Sequence, residues 1–430
     1  MRKMKLNVYF LLVALPVVLA SALTPTRQGK TCTISPLGGG QDDTDQVLDA
    51  ISKCGKGGHT VLLPGDYIIT RKMTWDLQDA TVDIWGYLDF QPDIQYWLNA
   101  NNTYRVVFVQ SQASWFVLTG SDFTVDAHNS GGIKGNGQLW WEYYTSHVKA
   151  DGDGRPISLT VYQAKRAAIR GFRIESPPFW SNCVAESSDI TYDGMFVNAT
   201  NTNSTFFGKN IVPNTDGINT FRSNNINLFN WDITCGDDCL AIKGNSTNIH
   251  ASNYTCRGGN GVAFGSLGQY VDLPDYVENV LLEYFTMTRI SHDAQPNMGS
   301  GVYFKTWTGV SVGLPPTGGG GGTGQVKNVV CRDFSLNLVD RPVHVYQTNG
   351  GNSSELQSSL QFADLSFSNW YGTADTNRVI DIECSPNAPC PDIAFKDFNI
   401  HLVPSNLTAR YTCINVVSEA GIPGPCNATT

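Results

Sequence analysis

Asn225-Ile226-Asn227-Leu228-Phe229-Asn230-Trp231, followed by Asn248-Ile249-His250-Ala251-Ser252-Asn253-Tyr254, decides the fold of this chain. Each stretch opens on Asn, continues with a β-branched residue and then alternates, the period-two signature of a strand. The same phrase stands at Ala168-Ile169-Arg170-Gly171-Phe172-Arg173-Ile174 and at Asp189-Ile190-Thr191-Tyr192-Asp193-Gly194-Met195-Phe196. Later copies start at Asn279, Asn328, Ser359 and Asp392. The starts at 189, 225, 248 and 279 are 36, 23 and 31 residues apart, one solenoid coil each. Asn-Gly and Asp-Gly hairpin signals are few and irregularly spaced, which disfavours a sandwich or barrel. The reading is an all-β, single-domain, right-handed parallel β-helix, with the phrase-opening Asn stacked in a ladder at a coil corner.

Helical periodicity is weak except over residues 43–52, where Val47, Leu48 and Ile51 fall on one face. That segment predicts a short N-terminal helix that caps the solenoid and hides an edge open to aggregation. The glycine-rich run 318–324 reads as an insertion between coils, either a flexible loop or a wall beside a cleft. No linker interrupts residues 23–430.

Ahead of that domain, residues 1–22 read as a secretory signal. Arg2, Lys3 and Lys5 are basic, Val8 to Leu19 is almost continuously apolar, and Ala20-Ser21-Ala22 offers small residues for cleavage. The apolar run is too short to span a bilayer. Removing three basic and no acidic residues takes the formal charge from −9 to −12. An acidic chain without basic tracts argues against nucleic acid or an anionic membrane as partner. A secreted, extracellular monomer is expected.

All eleven cysteines follow the leader, which fits an oxidising compartment. Sequence alone does not fix their connectivity, but short loops suggest Cys32–Cys54, Cys239–Cys256, Cys384–Cys390 and Cys413–Cys426. Cys183, Cys235 and Cys331 remain, and the odd count leaves at least one thiol free. No Cys/His cluster has zinc spacing, so no metal site is expected. Asn-x-Ser/Thr sequons at Asn101, Asn198, Asn203, Asn245, Asn253, Asn352, Asn406 and Asn427 fit a glycosylated exported protein.

Three carboxylates stand out in glycine-marked turns: Asn214-Thr215-Asp216-Gly217 and Gly236-Asp237-Asp238-Cys239. Like charges held close raise one another's pKa, so such a cluster points to acid–base chemistry or to a bound cation. The bland reading is that Asp216 and Asp238 are turn residues bonded to backbone amides. Downstream come Gly259-Asn260-Gly261 and Gly301-Val302-Tyr303-Phe304-Lys305-Thr306.

In this order the four motifs resemble the polygalacturonase-type glycoside hydrolases, family 28. Gly135-Asn136-Gly137-Gln138-Leu139-Trp140-Trp141 and Ser176-Pro177-Pro178-Phe179-Trp180 add to the resemblance, which covers most of the chain. It lies towards the fungal exo-acting hydrolases of rhamnogalacturonan and galacturonan. The resemblance implies a right-handed parallel β-helix, no cofactor, and hydrolysis of an α-linked sugar in plant cell-wall pectin with inversion. Such chemistry needs one protonated carboxyl and one carboxylate base, spaced to admit a water, roughly 6.5–9.5 Å apart. By family match Asp237 is the general acid, and Asp216 with Asp238 holds and activates water.

Two departures from the family pattern bear on substrate. Asn260 replaces the family's His, so it can hydrogen-bond but not titrate. Tyr303 replaces an Arg that would grip a carboxylate with two parallel bonds, leaving Lys305 as the single basic contact. A single basic contact plus aromatic surface suits release of terminal α-L-rhamnose from rhamnogalacturonan, with the Tyr303 ring packed on an apolar sugar face. The alternative is an exo-polygalacturonase in which Arg222 or Arg341 supplies the missing grip. Insertions over 198–212 and 311–324 would block one end of the cleft. Tyr346, Gln347 and Asn349 are further cleft candidates, and His344 reads as structural. A calcium-dependent pectate lyase and a non-catalytic carbohydrate-binding solenoid are the readings from other classes.

Overall fold

A computed structural model describes residues 26–28, 30–147, 154–290, 296–349, 357–403 and 406–427. Asn352 and the leader at residues 1–22 lie outside these. The described chain winds into a parallel β-helix. Strand Asn224–Thr234 pairs in parallel with Ser246–Arg257, which pairs with Asp275–Thr288, then Thr323–Val339, Ser359–Ala374 and Ile393–Leu402. Each later coil thus lays its strand on the one before. No described helix is long and apolar enough to cross a membrane.

The phrase-opening residues do form a corner ladder. Asn225 Nδ2 donates to Asp189, Asn248 to Asn224, Asn279 to Asn248 and Asn328 to Asn279, at 2.7–3.0 Å. Asn225, Asn248, Asn279 and Asn328 all take φ of 54–59°, a left-handed turn that a short amide side chain tolerates. One start was misphased. Val329 pairs with Leu365, so the corner above Asn328 is Asp364, at φ 52°, and not Ser359.

Inside the coil the apolar positions stack in register. Tyr192, Trp231, Tyr254, Phe285, Phe334, Trp370 and Phe398 follow one another at ring separations of 4.2–5.7 Å. Offset stacking of this kind adds to the burial of each ring. The expected capping helix spans Thr44–Cys54, buries Val47, Ala50, Ile51 and Cys54, and is tied to the first coil by Cys32–Cys54. Cys239–Cys256, Cys384–Cys390 and Cys413–Cys426 are also bonded, while Cys183, Cys235 and Cys331 are free and buried.

A second face of the solenoid forms the floor of a cleft. Asn219, Ala241, Ala263, Tyr303, His344 and Asp381 are register partners across successive strands. Their neighbours Leu240, Ile242, Val262, Phe264, Val302 and Phe304 belong to the interior core, so strand alternation turns this row outward. The expected split of Tyr303 and Lys305 from Phe304 follows from the same alternation.

Candidate active site

Asp216, Asp237 and Asp238 sit where two adjacent coils enter the cleft, ahead of and at the start of strands Ile218–Phe221 and Asp238–Ile242. Thr215 pins the turns together: its hydroxyl donates to the Val212 carbonyl at 2.8 Å and accepts from the Gly236 amide at 2.9 Å. Glycine is needed at both turns, because a Cβ on Gly217 would lie 2.3 Å from the Cys239 carbonyl oxygen and one on Gly236 2.2 Å from that of Val212.

The three carboxyls have different surroundings. Asp237 accepts from the Asn214 amide at 3.0 Å and Asn214 Nδ2 at 3.2 Å, both on Oδ2, and from Asn260 Nδ2 at 2.9 Å on Oδ1. Burial and then the charge of Asp238 push its pKa up to about 6, against the opposing pull of Lys305 and these donors. Asp238 accepts from the Tyr303 hydroxyl and has Lys305 Nζ 3.7 Å from its Oδ2. Asp216 is 3 % exposed, and its Oδ1 is buried with no partner among the described residues. Burial, then Asp237 and Asp238, raise its pKa well above the usual carboxylate range.

Turn bonding to backbone amides therefore does not account for Asp238, whose side chain is engaged by Tyr303 and Lys305. Asn260 fills the network place expected of it. Tyr303 does not: only 5 % exposed, between Ala241, Ala263 and Tyr346, it is no open sugar platform. Its hydroxyl reaches into the aspartate cluster and accepts from Lys305 Nζ at 3.1 Å. This geometry suits general acid–base chemistry on a bond laid across the aspartates.

The family profile described as glycosyl hydrolases family 28 matches residues 72–422. The chain belongs to glycosyl hydrolases family 28. It is 42% identical to a putative galacturan 1,4-alpha-galacturonidase A of Aspergillus niger, over 95% of this chain and 96% of that one. It is 34% identical to the alpha-L-rhamnosidase rgxB of the same species, over 91% and 88% of the two chains. The endo-xylogalacturonan hydrolase of Aspergillus tubingensis shares the fold at TM-score 0.76 and 23% identity, over 93% of this chain and 100% of that structure. This family 28 chain is a pectin-degrading glycosidase, which sets aside the lyase and the non-catalytic solenoid.

Beside the family 28 carboxylates lies a cavity of about 490 Å³, lined by Asn260, Tyr303, Lys305, Arg341, His344, Tyr346, Arg378 and Glu383. The expectation of a single basic contact is corrected here, because Arg341 and Arg378 join Lys305. Arg378 is anchored to the buried Asp381 at 2.6 Å. At His344, which lines the cavity, burial, then Arg341 and Arg378, push the pKa down to about 3. Arg222 is not in this cavity; it lies over the Phe108 ring at 4.4 Å and the Phe221 ring at 5.2 Å. Gln347 is buried and donates to the Leu360 carbonyl, away from the cavity. The side chain of Asn349 lies outside the described residues.

Segment 198–212 packs on helix Gly137–Ser146, with Asn203 Nδ2 bonded to Glu142 at 2.9 Å and Thr202 to Gln138 at 2.9 Å. Its Val212 carbonyl accepts from the Thr215 hydroxyl, which supports the Asp216 turn. Segment 311–324 is packed: Gly320 donates to the Gln269 carbonyl and Gly322 to that of Gly268. Beside this ledge Tyr270 meets Phe108 at 5.7 Å, and Phe108 meets Phe221, the last residue of strand Ile218–Phe221, at 5.1 Å, an aromatic partition.

Sequence reading missed Lys243 and Arg155. Lys243 is buried, donates to the Gly265 carbonyl at 3.3 Å and lies 4.8 Å from the Trp180 ring. It follows Ile242, whose partner is Phe264; Gly265 comes next to Phe264 in the chain, and Phe264's own partner Phe304 precedes Lys305. Lys243 and Lys305 therefore flank the bare Gly265 position, roughly two strand spacings or 9–10 Å apart along the floor. A charge closing the apolar strand Asp238–Ile242 was the signal available for Lys243. Arg155 carried none.

Proposed function

We propose that this chain is an exo-acting galacturonidase, hydrolysing the terminal α-linked galacturonate of pectic galacturonan with inversion. The observation that carries the reading is the gathering of Arg341, Arg378 and Lys305 in one cavity next to Asp238 and Tyr303. Guanidinium groups grip carboxylates with paired hydrogen bonds, and galacturonan presents a carboxylate on every residue. The likeness to a putative galacturan 1,4-alpha-galacturonidase supports it.

Asp237 is the acid that protonates the leaving oxygen. Asp238 is the carboxylate that takes a proton from water as it attacks the anomeric carbon. Asp216, whose pKa burial and then Asp237 and Asp238 raise well above the usual carboxylate range, shares the water's hydrogen bonds. The partition at Phe108, Phe221 and Tyr270 supports exo action, as an aromatic wall that would stop a polymer at one end of the cleft. The apolar leader and the sequons support secretion of a glycosylated protein.

Release of terminal rhamnose is the second reading, favoured by Tyr303 in place of Arg and by the 34% identity to an alpha-L-rhamnosidase. Digestion of polygalacturonate and of rhamnogalacturonan oligosaccharides side by side separates the two. Galacturonic acid from the first and no rhamnose from the second supports the galacturonidase; the reverse pattern rules it out.

A further inference from the structure

We infer that Arg155 is a positioning residue that acts through Asn214 to decide which oxygen of Asp237 carries the proton. The inference rests on the proposed role of Asp237 as acid, and not on which sugar is released.

Arg155 immediately precedes strand Pro156–Ile157 and is 5 % exposed. Its guanidinium lies 4.7 Å from the Tyr144 ring and 4.6 Å from the Phe179 ring. Nη2 donates to Asn214 Oδ1 at 2.8 Å and Nη1 to the Pro213 carbonyl at 3.3 Å. A guanidinium has donors only. The Asn214 amide must therefore turn its oxygen to Arg155 and its nitrogen to Asp237, which settles an orientation that amide symmetry otherwise leaves open.

The consequence falls on Asp237. Asn214 delivers two N–H groups, its backbone amide at 3.0 Å and Nδ2 at 3.2 Å, to the same oxygen, Oδ2. Both lone pairs of Oδ2 are then occupied. Among the described residues Oδ1 receives only Asn260 Nδ2, at 2.9 Å, so its remaining lone pair holds the proton. The leaving oxygen must approach Oδ1.

Without Arg155 the Asn214 amide is free to rotate by half a turn. Its oxygen then faces Oδ2, draws the proton there and favours the protonated carboxyl. The proton is retained to higher pH but sits on the wrong oxygen. Burial, Asp216, Asp238, Lys305, Tyr303 and Cys235 also act on or around Asp237, and substitution of Arg155 leaves all of these groups in the chain.

The test combines Arg155→Met and Arg155→Lys with a measurement on the unaltered enzyme. In Arg155→Met, kcat is expected to fall about 10- to 100-fold, the usual effect of losing such a supporting contact, with KM within about twofold. The alkaline limb of its kcat profile should move up by about half a pH unit or more. Arg155→Lys, which still donates to Asn214, should recover most of both. Neutron diffraction of the unaltered enzyme at acid pH should place the deuteron on Oδ1 of Asp237. A folded Arg155→Met enzyme with an unmoved limb, or a deuteron on Oδ2, overturns the inference. Asp237→Asn is measured alongside: full activity there removes the acid role itself, whereas inactivity with an unmoved limb in Arg155→Met removes only the role of Arg155.

Discussion

The Tyr303 hydroxyl donates to Asp238 Oδ1, so the residue that replaces the family's Arg is wired into the carboxylates instead of standing over the sugar. With Lys305 Nζ 3.7 Å from the other oxygen, Asp238 is held from two sides. Tyr303→Phe keeps the ring and removes the donor. A hydrogen bond to a charged group contributes about 1.5–3 kcal/mol, so kcat should fall roughly 10- to 100-fold, with less effect on KM. Steady-state kinetics on a galacturonate oligomer checks this, and an unchanged kcat would show that the contact is structural only.

Arg341 should govern binding. Arg341→Gln removes a guanidinium from the cavity while leaving Arg378 anchored to Asp381. KM for oligogalacturonides is expected to rise about tenfold or more, with kcat affected less, as for loss of a paired carboxylate contact. Any cleavage of neutral-ended substrate should change little. Equal losses on both substrates would argue for a folding defect.

As the proposed acid, Asp237 must be protonated to act, and its pKa is raised to about 6, so kcat should decline as pH rises through that value. A rate that keeps rising to about pH 8 contradicts the acid assignment.

Stability should follow the same direction. Burial raises Asp275, like Asp237, from 3.8 to about 6. The folded state therefore binds protons more tightly than the unfolded chain. The stabilisation is fully present below the unfolded pKa and is lost as pH rises through about 6. Thermal unfolding at about pH 4.5 should show a higher Tm than at about pH 7.5, and Asp275→Asn should narrow the gap.

Phe108 holds the partition together through Phe221, Tyr270 and Arg222. Phe108→Ala should open that end of the cleft. Products from polygalacturonate are then expected to include oligomers besides the monomer, read by chromatography early in the digestion. An unchanged monomer-only pattern would place the exo constraint elsewhere.

Much of the fold was legible because its repeat is local. Each coil writes its own Asn corner and its own alternation, so Asn225 and Asn248 announce the ladder without knowledge of their partners. Short disulfide loops were readable for the same reason. Ser359 was misplaced because coil lengths vary, and only pairing of Val329 with Leu365 phases that turn. The aspartates were legible as ordered motifs, but their supports were not. Arg155 lies 59 residues before Asn214 and meets it through the winding of the chain. Arg341 and Arg378 reach Lys305 across three strands, which is why Tyr303 alone gave too neutral a picture of the cleft.

Proton NMR of the first turnovers on an oligogalacturonide tests the proposed reaction most directly. Inversion at an α-linked terminal residue should release galacturonic acid whose β anomer appears first and then mutarotates. Initial appearance of the α anomer, or no galacturonic acid from the oligogalacturonide while rhamnogalacturonan fragments yield rhamnose, would contradict it.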